Sequence, residues 1–255
     1  MEAMRILAVI RQVLDAEETV RLQNGRVDLS GSKLVIDAMD EYGVEEALRL
    51  REANPDIEVI ALAVGSGRLE EALRGVLAMG ADRAVLVESE PSLDVLAVSA
   101  MVAKLARKED IDIVLCGGQQ ADWDSQALGP ATAERLGWPQ VTWINALTLS
   151  GRNLVGKHDV EEGSESFLVS LPAVLTTQQG LNEPRYPTVP NILRAKKKEL
   201  RREAIEDYGV TSKLKVLGAE IQARERRKAI LDGTDAGAAA AKLVHLLREE
   251  AKVLA

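Results

Sequence analysis

The chain has 255 residues, and only 3% of them are aromatic, so its core must be built from Leu, Val, Ile and Ala. That composition suits a helix-flanked parallel sheet better than a hairpin-rich sandwich. The net charge of −8 argues against wholesale nucleic-acid or membrane-surface binding while leaving room for a local basic patch.

In chain order, Met4–Ile10 reads as a buried strand, broken by Arg11. That run is too short for a signal peptide or a membrane span. With one cysteine, Cys116, no internal disulfide can form, and a soluble cytoplasmic protein is expected. Asn24-Gly25 between alternating residues predicts a hairpin over 21–29. A helix is expected over 40–54, with Val44, Ala47, Leu48 and Leu50 clustered and Asp37 or Asp40 as cap. Then come a strand at 58–64, a helix at 68–79, a strand at 84–88, a helix at 93–108, a strand at 112–116 and a helix at 125–136. This alternation, running to about Pro139, predicts a doubly wound, mostly parallel α/β sheet.

The pattern then changes. Residues 141–177 read as an added β-meander, with turns at 150–153 and 161–165. A proline-pinned stretch follows, then a run of cations. From Glu199 the chain is charged and weakly periodic, closing with a helix over 236–254 striped by Leu243, Leu246, Leu247 and Val253. The expected organisation is an α/β domain over 1–198, including the meander (141–180) and the 181–198 segment. An extended C-terminal arm over 199–255 would bury its stripe on a partner subunit.

Few residues look catalytic. His158 and His245 lack cysteines or carboxylates at metal-ligand spacing, so both read as ordinary residues. There is no Gly-x-Ser-x-Gly elbow and no phosphate loop. Cys116 reads as a small buried hydrophobe. The best candidate is the stretch from Cys116 to Gln140. A strand ends at Gly117-Gly118, a polar loop follows, and a helix is expected to start near Ser125. Ligands of such sheets sit beyond the carboxyl ends of strands, and helix N-termini attract phosphate. Glycine lets backbone approach a ligand, and Gln119, Gln120, Ser125 and Gln126 supply neutral hydrogen bonds. Asp122 and Asp124 repel phosphate unless they face away, cap the helix or hold a cation. Gly65 and Gly67 follow another strand end and are expected to line the same crevice. Trp123 either stacks on a base or covers the loop.

Several segments, in order and spacing, resemble the small (β) subunit of electron transfer flavoproteins. They are "EYGVEEALRL" (41–50), "LAMGADRAVLVE" (77–88), "IDIVLCGGQQAD" (111–122), "LGWPQVT" (136–142) and "LPAVLTTQQGLNEPRYPTVPNILRAKKK" (171–198). The last is the family's signature region. The resemblance implies a heterodimer with a larger α subunit that holds most of a redox-active FAD. It also implies an adenine nucleotide in this subunit, either AMP or, as in electron-bifurcating members, a second FAD. Electrons would come from acyl-CoA and related dehydrogenases and pass to a membrane quinone oxidoreductase, which points to fatty acid oxidation. Without a flavin this chain has no redox-capable constellation of its own.

Carried over residue by residue, the nucleotide-binding positions are Val9, Asp37, Ala38, Met39, Asp40 and Val64. They continue through Gly117, Gly118, Gln119, Gln120, Ala121, Asp122, Trp123, Asp124, Ser125, Gln126, Ala127 and Leu128. This chain has Asp37-Ala38 where housekeeping members carry Asn-Pro, and "DWDSQALGP" where they carry an Asp-rich run. Gly129-Pro130 looks more like the bifurcating members, which tend to have glycine at the position of Trp123. An indole there obstructs a flavin more than AMP, so AMP is the first choice.

The resemblance also makes Arg185, Tyr186, Pro187, Thr188, Val189, Pro190, Asn191, Ile192, Leu193 and Arg194 the recognition loop for the dehydrogenase, with Val189 as its apolar anchor. The prolines limit what the loop loses on docking. Arg194, Lys196, Lys197 and Lys198 would guide an acidic partner face. Two other readings compete. A stand-alone nucleotide-binding or hydrolysing protein lacks a phosphate loop and a base. A basic adaptor for RNA lacks aromatics inside the basic run for stacking.

Overall fold

A computed structural model describes residues 4–89, 93–222 and 229–253. The chain forms two compact units, Met1–Ala219 and Glu220–Ala255. The first begins with β1 (Arg5–Ile10), β2 (Gln12–Leu14), β3 (Leu22–Gln23), β4 (Arg26–Val27) and β5 (Leu34–Ile36). There follow α1 (Ala38–Ala53), β6 (Glu58–Gly65), α2 (Leu69–Met79), β7 (Arg83–Glu88), α3 (Val95–Lys108), β8 (Ile113–Gly117) and α4 (Leu128–Leu136). Then come β9 (Gln140–Ser150), β10 (Asn153–Val160), β11 (Gly163–Ser170), β12 (Ala173–Thr177), α5 (Val189–Ala195) and β13 (Leu200–Ala204).

One nine-stranded sheet dominates, in the order β11-β10-β9-β12-β8-β1-β6-β7-β13. From β9 to β13 in that order every neighbour pairs in parallel, while β9, β10 and β11 form an antiparallel meander at one edge. The doubly wound, mostly parallel sheet expected from the sequence is therefore present. α1 and α2 pack on one face, through Val44, Leu48, Leu73 and Val76. α3 and α4 pack on the other, through Met101, Leu105 and Ala133. Each large aliphatic side chain buried this way contributes about 1.5–3 kcal/mol.

The chain steps from β1 to β6 and β7 on one side, then α3 carries it back to β8 on the other side of β1. The crevice beyond the carboxyl ends of β1 and β8 is thus the topological switch point.

Local signals explain several boundaries. Asn24 and Gly25 both take positive φ (53° and 69°), as the two-residue turn between β3 and β4 requires. The Asp37 side chain accepts from Met39 N and caps α1, an interaction worth about 1 kcal/mol. Gly137, left-handed at φ 70°, closes α4.

Four expectations need correcting. The meander ends at β11, because β12 crosses back and inserts between β8 and β9. α4 starts at Leu128 instead of near Ser125, because Asp124 and Gln126 both hold positive φ (43° and 51°), which no helix continues. The proline segment is not a loop throughout: Val189–Ala195 is a short helix with Pro190 in its first turn, where proline is pre-organised. The stretch after Glu199 opens with a strand, β13, paired to β7. Its charges are matched locally, Arg201 to Glu109 and Arg202 to Glu70 and Glu88. The compact unit therefore runs past residue 198, to Ala219.

In the second unit, α6 (Ala236–Glu249) is capped by Asp235, which accepts from Gly237 N and Ala238 N. The helix stops at Glu249, so Val253 lies beyond it, and none of its side chains is buried. Among the described residues no helix is long and apolar enough to cross a membrane.

Candidate functional site

The site is built on a charge buried at the switch point. Arg11, the residue that breaks the first apolar run, follows β1 directly. Its side chain turns into the crevice against Asp40, in the first turn of α1. Asp40 Oδ2 accepts from Arg11 N and Nε, each at 2.8 Å, and Oδ1 accepts from Arg11 Nη2 at 2.7 Å. Oδ1 also accepts from Gly117 N at 2.6 Å. Arg11 Nη2 further donates to the carbonyls of Gly117 and Gln119.

The Asp40 side chain is wholly buried. Burial pushes its pKa up, and Arg11 and the Gly117 N–H pull it back. Four N–H donors converge on it, which is the environment of an ionised acceptor. Burial also opposes the charge on Arg11, but Asp40 more than offsets it and raises the guanidinium pKa.

Asp37 forms the second brace. While Oδ1 caps α1, Oδ2 accepts from Ala121 N at 2.8 Å. Thr177, at the end of β12, donates from Oγ1 to Met39 O at 2.7 Å, and its own carbonyl accepts from Gly118 N. The start of α1 and the 117–121 turn are thereby locked together.

The glycines serve this packing. A Cβ on Gly117 would lie 2.7 Å from Arg11 Nη2, Asp40 Oδ1 and Met39 Cβ. On Gly129 it would lie 2.2 Å from Thr176 Cγ2. Their lack of a side chain lets chain segments meet, where the sequence suggested an approach by a ligand.

Beyond the braces the loop opens. Residues 121–126 are exposed, including Trp123 at 61%. Asp124 Oδ1 accepts from Gln126 Nε2, which ties up that amide. Though Asp122 is exposed, the protein packed around its carboxyl partly desolvates it and raises its pKa, and the Asp37 charge adds to the rise. Neither Asp122 nor Asp124 caps α4, whose N-cap residue, Ala127, offers no side-chain acceptor. Gln126 at positive φ followed by right-handed Ala127 is the backbone sequence of a nest, which gathers successive N–H groups around an anion. The N-terminal N–H groups of α4 follow directly.

Of the positions singled out in the sequence, Gly117 through Leu128 fall together at the carboxyl end of β8, with Asp37 to Asp40 alongside. Asp37, Asp40, Gly117, Gly118 and Leu128 are buried scaffold, while Ala38 is exposed and Met39 half-buried. Val9 lies in the core, and Val64 is half-buried near the end of β6. Gly67 is not in the crevice: its Cα faces the Glu88–Arg202 pair at the β7–β13 side of the sheet. Sequence reasoning missed Arg11 and Trp143. The latter takes φ 57° at a bulge in β9, donates from N to Thr176 Oγ1 and packs its indole against Gly118. An arginine ending an apolar strand was the available signal for the first. Cys116 is buried, and its thiol is pushed up to about 12 by burial, so it behaves as a hydrophobe.

The other candidate segment runs from Pro184 to Lys198. Tyr186, Val189, Ile192 and Leu193 are exposed along it. Arg185 does not face outward: it forks onto Glu45 of α1 and reaches Glu52. Lys198 also turns inward, donating to the carbonyls of Leu77, Gly80 and Ala81 at the end of α2. A concave surface lined by Ile36, Tyr42, Met79 and Pro184 lies beside this segment, and no residue of the 117–128 loop belongs to it.

The sheet order and the braced βα loop define a doubly wound α/β protein with its candidate site at the switch point. Comparison with known proteins carries this further. The family model of the electron transfer flavoprotein domain matches residues 25–208. The chain is 37% identical to the electron transfer flavoprotein subunit beta of Bradyrhizobium diazoefficiens, over 98% of this chain and all of that protein. It is 40% identical to the human protein of that name, over 86% of this chain and 89% of the relative. The Bacillus subtilis one is 34% identical, over 98% and 100%. The chain belongs to the electron transfer flavoprotein β-subunit family.

Proposed function

We propose that this chain is the small subunit of a heterodimeric electron transfer flavoprotein. In this reading it pairs with a flavin-bearing α subunit, receives electrons from an acyl-CoA or related dehydrogenase, and passes them toward a membrane quinone oxidoreductase. FAD, held mostly by the α subunit, supplies the redox chemistry when bound. This chain supplies a nucleotide seat and a docking surface.

The seat is the loop after β8. The uncapped start of α4 and the turn at Gln126–Ala127 suit a phosphate, and Ser125 and Gln119 suit neutral contacts. Asp37 and Asp40 act from behind, holding the loop's shape rather than touching the ligand. The mouth over residues 121–126 is open and carries the Trp123 indole, which favours AMP over a second FAD. The arm and α6, with no buried side chain in the helix, suit a partner-covering role.

The observation that carries the electron-transfer reading is the docking segment. Tyr186 is 94% exposed and Val189 71%, on a backbone whose flanks are tied to α1 and α2. Exposed apolar anchors on a held backbone are what a transient partner reads. The test is Val189→Ala in the heterodimer. Losing about two CH₂ equivalents of buried surface, at ~0.8 kcal/mol each, should weaken the dehydrogenase encounter about tenfold while bound nucleotide stays constant. Transfer rates equal to the parent's would count against the reading.

A further inference from the structure

The docking segment is held at both ends by cations that point into the molecule. At its start, Arg185 Nε and Nη2 each lie 2.8 Å from a different oxygen of Glu45, and Arg185 N donates to the same carboxylate. Glu45 is buried, and the third arm of the guanidinium reaches Glu52. At its end, Lys198 Nζ spends three donors on the carbonyls of Leu77, in the last turn of α2, and of Gly80 and Ala81 just past it. Arg74, on α2, returns the arrangement by donating from Nη1 to the carbonyls of Ala195 and Lys198, at the end of α5. The end of α2 is thus met by a cation from the turn after α5, and the end of α5 by a cation from α2, where the dipole favours positive charge.

α5 has seven residues, too few to persist without tertiary support. Its one buried residue is Ala195. The ordering of this segment therefore has to come from its anchors. Arg194, Lys196 and Lys197, by contrast, are exposed, and their side chains have no partner among the described residues.

We propose that Arg185, Lys198 and Arg74 are positioning residues that order the docking segment before it meets its partner, and that Arg194, Lys196 and Lys197 are the cations that steer the partner. The inference rests on the docking reading above and divides the basic cluster by role. An ordered segment loses less entropy on binding. A steering cation acts through the solvent and is screened by salt.

The test uses the chain together with its α subunit. Amide hydrogen exchange is followed over residues 186–197 for the parent, Arg185→Ala, Lys198→Met and Arg194→Ala. Electron transfer from an acyl-CoA dehydrogenase is measured across a range of ionic strength. Arg185→Ala and Lys198→Met should speed exchange in α5 about tenfold or more and raise KM for the dehydrogenase, with the salt dependence unchanged. Arg194→Ala should leave exchange as in the parent and flatten the salt dependence. Arg185→Lys, which keeps the charge but not the fork, should give a smaller effect in the same direction, and it substitutes if the alanine variant fails to fold. Parental exchange in the Arg185 and Lys198 variants would overturn the proposal. So would faster exchange with unchanged KM, or a flattened salt dependence in either variant. The exchange readout needs no dehydrogenase, so its failure is distinct from a failure of Val189→Ala to affect transfer.

Discussion

Removing the Asp40 carboxylate probes the brace on which the candidate site stands. In Asp40→Ala, the Arg11 guanidinium, with its side chain only 14% exposed, keeps its charge and loses its partner. Breaking a buried pair from one side costs about 3–5 kcal/mol. The Gly117 N–H, 2.6 Å from Asp40 Oδ1, loses its acceptor as well, a loss of about 1–3 kcal/mol when no water replaces it. The vacated space lets water reach Arg11 and recovers part of this, so the expected net loss is about 3–5 kcal/mol. Typical total stabilities are ~5–15 kcal/mol, so the effect should be large in equilibrium urea unfolding followed by circular dichroism at pH 7. Asp40→Asn keeps one acceptor and should fall between. The double variant Arg11→Met/Asp40→Leu should recover much of the loss, because apolar residues of similar size replace a buried pair at little net cost. A loss below about 1 kcal/mol for Asp40→Ala, or a double variant no better than the single, would refute the reasoning.

Two further outcomes are expected. Gly129→Ala should cost about 1–3 kcal/mol by overpacking against Thr176; Thr176→Ser in the same chain should relieve it, since Ser lacks the clashing methyl but keeps the acceptor for Trp143 N, and thermal melts of the single and double variants decide. Asp94 caps α3 through Ala97 N and holds the backbone at 213–214 through Lys213 N and Leu214 N. Burial opposes its charge, but these donors bring its pKa down to about 2. A depressed carboxylate pKa stabilises above its unfolded value of ~3.9, and that support is lost as pH falls through about 2. Hydrogen exchange at 213–214 should therefore stay protected at neutral pH, weaken progressively below about pH 4 and be released only as pH falls through about 2. Asp94→Asn should release it at pH 7, and unchanged protection in that variant would speak against the latch.

How much of this was legible in the sequence depends on the range of the forces involved. The alternation from β1 to β8 was readable because each element's apolar period is local, as in α2, where Leu69, Leu73, Val76 and Leu77 form one stripe. The Asn24-Gly25 turn and the Asp37 cap are equally local. β13 escaped because it is an edge strand reading Leu-Arg-Arg-Glu-Ala, whose charges are answered by residues far along the chain. The insertion of β12 escaped because an apolar run does not reveal its neighbours. The position of the loop after β8 was readable from its glycines and the strand–loop–helix order. Its interior was not: Arg11 meets Asp40 only through tertiary folding, and the positive φ of Asp124 and Gln126 has no glycine to announce it. In the docking segment, Pro190 marked a helix start that was read as continued loop. The inward turns of Arg185 and Lys198 depend on α1 and α2 being already in place.

The most direct measurement is the nucleotide content of the purified heterodimer. Nucleotides are released by denaturation, separated, and counted against protein. The account predicts one FAD and one AMP per pair, with AMP lost selectively when Asp40→Ala disturbs the braced loop and FAD retained. A pair that carries FAD but no second adenine nucleotide, or a chain that is fully competent and colourless without an α subunit, would contradict it.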